Sequence, residues 1–507
     1  MIVLLLLTLA IGALSRLLYL CYFHPLAQYP GPWLARFTNL WRLSTFLSGS
    51  QHLTELALHR QYGRVVRVGP NWLSFASLAD FEAIYGFNRC IEKDSFYDFG
   101  RQKRKATYSL FTAKTDAQHR DRRKKVATPA FTLAKVNGGY AEVVRKNVGV
   151  LIGRLGGDDV TTIENEKVNV ARILHRFTID TSLEVIYGPK VCPQPLTDMP
   201  AMGGFPEAVK KAGKSAWMAS LIPLPGWLLT WRPIMALTGR LDKNKSITAA
   251  VDLGVVATTS AKLIFSPQLQ EIYSQQQQNS ILKNWVDLPS DDSRKMSPSE
   301  LWGEAFNLVL AGTGSSAAAL TTLLYRLGLA AGKPWQTKIR EEIAAQKKHS
   351  DSGLPPSPST FPVLFAVIKE TLRVDAPFPN GFPRTIRAGA ESALQGLPTL
   401  LPPGTMVSAS TFVLGRSRSI WGADADEWKP QRWLDGEEDP DKRFVAFSKG
   451  ARQCVGRDLA MLMIALAAVA VVQKWELSSV GDLHGDSSFL EMSYDACWLR
   501  LELLNNE

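Results

Sequence analysis

Cysteine is scarce: five residues in 507, and no two of them form a C-x-x-C pair. Cys21, Cys90, Cys192, Cys454 and Cys497 are scattered and odd in number. That excludes a disulfide framework and a thiolate zinc site, and it fits a reducing compartment. No long Gly/Ser linker divides the chain and no fixed period repeats along it, so one large folded unit is expected. No zinc-finger spacing or ribonucleoprotein motif accompanies the net charge of +11. Nucleic acid is therefore not the expected partner; anionic lipid or an acidic protein face suits such a surface, and a generic basic surface is the plain alternative. No flavin or nicotinamide fingerprint is present either.

The amino terminus is rich in what the rest of the chain rations. Residues 2–14 are almost wholly apolar; Ser15 and Arg16 interrupt, and 17–23 are apolar again. About 20 such residues span a bilayer as a helix, so 1–23 is read as a single-pass anchor. A cleaved signal peptide is the rival. No basic residue precedes the apolar run, while Arg16, Arg36 and Arg42 lie downstream, which favours an anchor with the body in the cytosol. Residues 24–45 hold Pro25, Pro30, Gly31 and Pro32 and are expected to form a stiff, extended connector. The remainder, 46–507, is the expected catalytic domain.

Within that remainder, 51–61 predicts an amphipathic helix. Two strands, 65–68 and 72–75, flank a Gly69-Pro70-Asn71 turn. Residues 77–85 and the basic stretch 118–126 read as helices, as does much of 143–258. Residues 275–278 and 289–296 read as loops. Helical pattern dominates 297–374, short strand-like pieces fill 384–447, and an apolar helix follows Cys454. The fold class is mainly α (α+β).

The strongest signal is FSKGARQCVG, residues 447–456. It fits F-x-x-G-x-R-x-C-x-G at Phe447, Gly450, Arg452, Cys454 and Gly456. A thiolate on haem iron pushes electron density towards bound oxygen and favours O–O cleavage. Backbone N–H groups tune such a thiolate. Gly450 and Gly456 would let the backbone pass close to a flat macrocycle, Arg452 suits a propionate, and the following helix directs its positive end at the sulfur. A buried structural cysteine is the plain alternative.

At this point the chain resembles the cytochrome P-450 superfamily over nearly its whole length, and its anchor and HPL…YPGP connector are similar to those of fungal microsomal members. The resemblance implies a large helical domain with small β-sheets and a long central helix over haem. Glu370 and Arg373, in KETLR, match E-x-x-R and share a helix face. Arg432, in PQRW, would complete a buried Glu–Arg–Arg network. His119 and Arg123, in QHRDRRKKV, match a propionate-contacting pair in which His119 replaces the usual tryptophan. Arg384, in GFPRTI, matches another propionate-gripping position. The neighbouring Arg120, Arg122, Lys124 and Lys125 form either a solvated face or a landing site for an acidic electron donor.

Ser297-Pro298-Ser299-Glu300 predicts a helix start with a capping box. The following Ala311-Gly312-Thr313-Gly314-Ser315-Ser316 resembles A-G-x-[DE]-T-[TS], the oxygen-binding stretch of the central helix. Here the pattern breaks: Gly314 stands at the acid position and Ser315 at the threonine position. Ser315, with Thr313 or Ser316 and water, is expected to relay protons next to Gly312. The resemblance further places substrate against 96–111, 201–237, 306–310 and 376–382, with Phe378, Phe382, Met492 and Tyr494 as apolar candidates.

The resemblance implies haem b (iron protoporphyrin IX) and a monooxygenase that inserts one atom of O2 into a lipophilic small molecule. Electrons would come from NADPH through NADPH–cytochrome P-450 reductase, with cytochrome b5 as an optional second donor. The setting would be the endoplasmic reticulum membrane and fungal secondary-metabolite biosynthesis. Gly314 keeps open a haem-thiolate isomerase, dehydratase or peroxide-using enzyme. A non-enzymatic haem-binding membrane protein is the second alternative.

Overall fold

The computed structural model describes residues 1–87, 91–100, 108–158, 163–164, 166–188, 279–349, 356–389, 394–435, 439–483, 487–488 and 490–504. The expected substrate segment 201–237, the loop 275–278, part of the segment 96–111, Cys90 and Cys192 lie outside the described residues.

The apolar amino terminus is a helix, Ile2–Leu18, continued by a wider turn, Tyr19–Phe23. The 22-residue span Ile2–Phe23 is long and apolar enough to cross a bilayer, and its most apolar stretch is 0% buried against the rest of the chain. An all-round apolar helix with no protein around it suits lipid. The central helix Pro298–Gly328, with 31 residues, is also long and apolar enough to cross a bilayer, but 72% of its most apolar window is buried, so it is a core helix.

Behind the first helix the chain is fastened to the globule by Arg67. Its backbone N–H donates to the Pro30 carbonyl at 2.7 Å. Its buried guanidinium donates to the carbonyls of Leu20 (3.3 Å), Leu26 (3.2 Å) and Pro70 (2.7 Å). Gly31 lies so close to Arg67 that a Cβ there would strike the Arg67 carbonyl. The expected extended connector is thus only partly so: a 3-10 turn forms at Trp33–Arg36, and a helix, Leu40–Leu47, runs across position 45. Prolines forbid helix only where they stand, and none follows Pro32 in this stretch.

The described strands are β1 (Val65–Gly69), β2 (Trp72–Phe75), β3 (Ile91–Lys93), β4 (Ile163–Glu164), β5 (Lys167–Asn169), β6 (Arg384–Ile386), β7 (Met406–Ala409), β8 (Trp475–Ser479), β9 (Ser487–Ser488), β10 (Met492–Ser493) and β11 (Trp498–Leu503). They form a five-stranded sheet of order β1-β2-β7-β6-β3, a four-stranded sheet β4-β5-β11-β8 and the hairpin β9-β10. β1 and β2 pair antiparallel as expected, with Val65 opposite Phe75. β2 pairs parallel with β7, Trp72 opposite Met406. The carboxyl-terminal pairing of β8 with β11 was not anticipated; it sets Leu501 opposite Leu477.

The helices have local causes. Ser297 accepts from the Glu300 N–H while the Glu300 carboxylate accepts from Ser297 N–H at 2.8 Å, the expected capping box, and Pro298 opens the first turn. The central helix spans 31 residues, about 46 Å at 1.5 Å per residue. It packs against the helices Val170–Tyr187 and Arg457–Lys474 and against Pro362–Val374. Phe177, Leu320, Leu324, Leu364, Ile464 and Val471 fill the contact and are buried. Each such side chain contributes about 1.5–3 kcal/mol of burial. This core holds the two ends of the candidate site in fixed relation.

Candidate functional site

The cysteine loop is built by backbone geometry. Cys454 N–H donates to the Phe447 carbonyl at 2.9 Å, closing the loop. Ser448 and Gly450 adopt φ of 60° and 73°, a region disfavoured for L residues. Gly450 is required there for a second reason. A Cβ would meet the Tyr85 carbonyl oxygen and the Gly86 backbone at the end of the helix Leu78–Tyr85. A close backbone approach is thus present at Gly450, to the end of the helix Leu78–Tyr85. At Gly456 no protein atom stands within 4 Å of an added Cβ.

Cys454 precedes the helix Arg457–Lys474, whose N-cap is Gly456. Burial pushes its thiol up, opposed by the Gly456 backbone N–H and by the charges of Arg123 and Arg457. By surface area the residue is nonetheless exposed. A metal cation inverts the burial effect, because a coordinating thiol is deprotonated outright. Arg123 Nη1 donates to the Gln453 carbonyl at 3.0 Å, tying the basic helix Asp116–Ala130 to the loop.

Behind the loop lies the expected charge network. Glu370 is 0% exposed and accepts five hydrogen bonds. Two come from Arg373 at 2.7 Å, one from Arg432 Nε at 3.0 Å, one from Lys429 N–H at 2.7 Å and one from Trp433 Nε1 at 2.9 Å. An aromatic chain carries this network towards Cys454. Trp433 meets Phe444 edge-on at 5.4 Å, and Phe444 meets Phe447 edge-on at 6.2 Å. The network and the cysteine loop are thus one packed body.

Beside the loop the fold gathers cations. Arg452 donates to the carbonyls of Ala113 (2.8 Å) and Lys114 (2.9 Å) and reaches Asp116 at 3.3 Å. Arg384 donates to the Tyr97 hydroxyl at 2.6 Å. Lys93 is buried, donates to the Phe111 carbonyl and lies over the Tyr97 and Phe111 rings at 4.6 and 4.8 Å. His119 is buried on the same side. Burial, then Arg384 and Arg452, push the Lys93 ammonium down well below its usual range. Burial, then Arg452, Lys93, Arg123 and Arg384, lower His119 to about 3. Basic groups whose positive charges oppose one another this way are poised for an anion, which would favour their protonated forms, and a group with two carboxylates at its edge fits them. The sequence reading missed Lys93 and Tyr97. No motif marks them, since they reach the cluster through the pairing of Lys93 with Arg384 between β3 and β6.

On the central helix the expected residues divide. Thr313 is buried and its hydroxyl donates to the Val309 carbonyl at 2.9 Å. Ser315 is less enclosed, and its hydroxyl donates to Ala311 at 2.7 Å. Ser316 is buried. Gly312 faces the helix Val170–Tyr187, where an added Cβ would sit 3.2 Å from Ser182 Oγ. Gly314 is filled from another element: a Cβ there would coincide with the carboxyl of Glu491. The sequence reading did not single out Glu491. Of the apolar candidates, Phe378 and Phe382 form a tilted pair at 5.9 Å, and Phe382 also meets Phe111 edge-on. Met492 N–H donates to the Pro377 carbonyl at 2.8 Å, joining the β9-β10 hairpin to the 376–382 segment. Tyr494 packs against the main core.

A sequence profile described as Cytochrome P450 matches residues 29–487. Similar curated proteins include the cytochrome P450 monooxygenase cicH of Emericella nidulans, 26% identical over 461 residues (89% of this chain, 88% of that protein). The benzoate 4-monooxygenase bphA of Aspergillus niger is 25% identical over 490 residues (92% and 90%). The cytochrome P450 monooxygenase atr2 of Stereocaulon alpinum is 28% identical over 500 residues (96% and 93%). With its helical core, its cysteine loop and this match over most of its length, the chain belongs to the cytochrome P450 family, whose members are oxidoreductases with a haem-thiolate iron.

Proposed function

We propose that Cys454 is the thiolate ligand of a haem b iron, and that the chain oxygenates a lipophilic small molecule while anchored by Ile2–Phe23. One observation carries the reading most directly. Cys454 stands just before the helix Arg457–Lys474, in a loop closed by its backbone bond to Phe447 and facing the charges of Arg123 and Arg457. Arg452, Arg384, His119 and Lys93 would hold the propionates, with Arg123 bracing the loop through Gln453. When bound, the group supplies O2 activation and electron transfer. The chain's own residues do the rest. The cation cluster binds and orients, Phe378 and Phe382 exclude water from the apolar side, and Ser315 stands where a hydroxyl can pass a proton.

Electrons would arrive from NADPH–cytochrome P450 reductase, with cytochrome b5 as an accessory, at the basic surface around Arg120, Lys124 and Lys125; Arg122, expected on the same surface, is instead buried against Glu300 and Glu304. The anchor helix supports an endoplasmic reticulum location with the catalytic domain, 46–507, in the cytosol. The cicH and atr2 relatives are fungal monooxygenases, and one relative acts by name on benzoate. They support an apolar or aromatic substrate in secondary metabolism.

The test is expression of the full chain with the reductase. The wild type is expected to give the thiolate-type reduced carbon-monoxide spectrum and one-oxygen mass gain on a lipophilic substrate, dependent on NADPH, reductase and O2. Cys454→Ser should abolish that spectrum. Ser315→Ala should lower product and raise hydrogen peroxide release; unchanged values for both would remove Ser315 from the relay. Product formed without NADPH or O2 would replace the monooxygenase reading with an isomerase or peroxide-using one.

A further inference from the structure

The acid position of the central helix is glycine, yet a carboxyl stands beside it. Gly314 is buried, and a Cβ built on it would coincide with Glu491 Oε1. The Glu491 carboxyl thus occupies the space that a side chain at 314 would take, and a larger residue there would have to move it. Glu491 comes from the β9-β10 hairpin, which packs on the central helix and is held on its other side by the Met492–Pro377 backbone bond. The Ser315 backbone N–H donates to the Glu491 carboxyl. Glu491 Oε2 is enclosed and has no hydrogen-bond partner among the described residues.

We propose that Glu491 supplies the proton-donating carboxyl that position 314 lacks, delivered to the central helix from the carboxyl-terminal hairpin, with Ser315 as its neighbour in the relay. This rests on the monooxygenase reading of the site. Burial with only one described stabilising donor pushes the Glu491 carboxyl up to about 8, so it carries its proton at neutral pH. That is the form a donor needs. In the step, the Glu491 O–H bond breaks and its proton passes to the Ser315 hydroxyl or a water, which hands on a proton of its own. The carboxylate then takes a proton from solvent. No electron changes hands at either residue, and NADPH supplies the reducing equivalents.

The substitution Glu491→Gln tests this, because glutamine keeps the size and can still accept from the Ser315 N–H. A purely structural role would survive it. The full chain is reconstituted with reductase and NADPH, and no organic substrate is added. O2 is then reduced either to water, with two NADPH per O2, or to hydrogen peroxide, with one. In E491Q the water-forming rate is expected to fall on the order of 100-fold, the lower end for a positioned general acid, with the flux diverted to peroxide. The exchange variant Gly314→Asp with Glu491→Ala returns a carboxyl to the helix and should restore water formation. An unchanged water-to-peroxide ratio in E491Q, or no recovery in the exchange variant, overturns the proposal.

Infrared difference spectra of the resting protein at neutral pH supply a readout without turnover. The wild-type minus E491Q spectrum should contain a protonated-carboxyl band, and its absence also overturns the proposal. A wild type that consumes no NADPH would instead refute the monooxygenase reading, with the band still deciding whether Glu491 holds a proton.

Discussion

Removing the Glu370 carboxylate is the perturbation whose cost the structure defines best. The group lies fully inside and accepts from two guanidiniums, one indole and one backbone N–H. Breaking a buried ion pair by deleting one partner costs about 3–5 kcal/mol. Arg373 would keep three carbonyl partners, at Gly415, Ala425 and Glu427, which moderates the loss of its counter-charge. Trp433 Nε1 and Lys429 N–H would lose their acceptor, each costing about 1–3 kcal/mol where no water reaches. For Glu370→Ala a destabilisation of about 4 kcal/mol is therefore expected, and slightly less for Glu370→Gln. The assay is urea unfolding followed by tryptophan fluorescence, with Trp421, Trp428 and Trp433 as local reporters, alongside the reduced carbon-monoxide spectrum. The spectrum should fail at lower urea than in the wild type, because Trp433, Phe444 and Phe447 carry the disturbance to the Cys454 loop. The double variant Glu370→Gln, Arg373→Met should lose less than the sum of the two single variants. A Glu370→Gln protein within about 1 kcal/mol of wild type would show that the three carbonyls alone sustain Arg373, and the reasoning would fall.

Further outcomes follow from other contacts. Gly450→Ala should lose the thiolate-type spectrum while the core stays folded, since φ of 73° and the Tyr85 carbonyl both oppose a Cβ; circular dichroism beside the spectrum checks this. Burial, then the Arg416 charge, lowers His52 to about 4 from 6.5. A depressed folded value means stability that is present above about 6.5 and lost as pH falls through about 4, a difference of up to about 3 kcal/mol. In His52→Leu the melting temperature should vary less across that window than in the wild type. Arg67→Ala frees the carbonyls of Leu20, Leu26 and Pro70 and should speed limited proteolysis between the anchor and β1, an effect read from fragment masses. Gly314→Ala should displace Glu491 and raise peroxide release, as E491Q does; equal peroxide in Gly314→Ala and wild type would show that the hairpin gives way harmlessly.

Much of the candidate site was legible because its signals are local. The residues from Phe447 to Gly456 are constrained by one backbone loop, so their spacing survives in the sequence. Glu370 and Arg373 share a helix face for the same reason. The anchor, the Ser297 capping box and the β1-β2 pair also depend on neighbours in the chain. Arg432 was legible only through the family likeness, since it reaches Glu370 from a separate turn. That Gly450 meets the Leu78–Tyr85 helix end was not legible, because no spacing rule reports which backbone will arrive.

The sequence by itself determined the class of the protein: an apolar amino terminus, a mainly helical body and a cysteine framed for a haem-thiolate centre. These follow from hydropathy, periodicity and short-range geometry, which act within a few residues. Tertiary structure alone decided which residues from distant parts of the chain join the candidate site. Sheet pairing carried Lys93 to Arg384, and the carboxyl-terminal hairpin carried Glu491 to the notch at Gly314. The physical reason is that burial and charge act through space. A carboxyl is an acid or a solvated anion according to what packs around it, and what packs around Glu491 is a helix that comes much earlier in the chain.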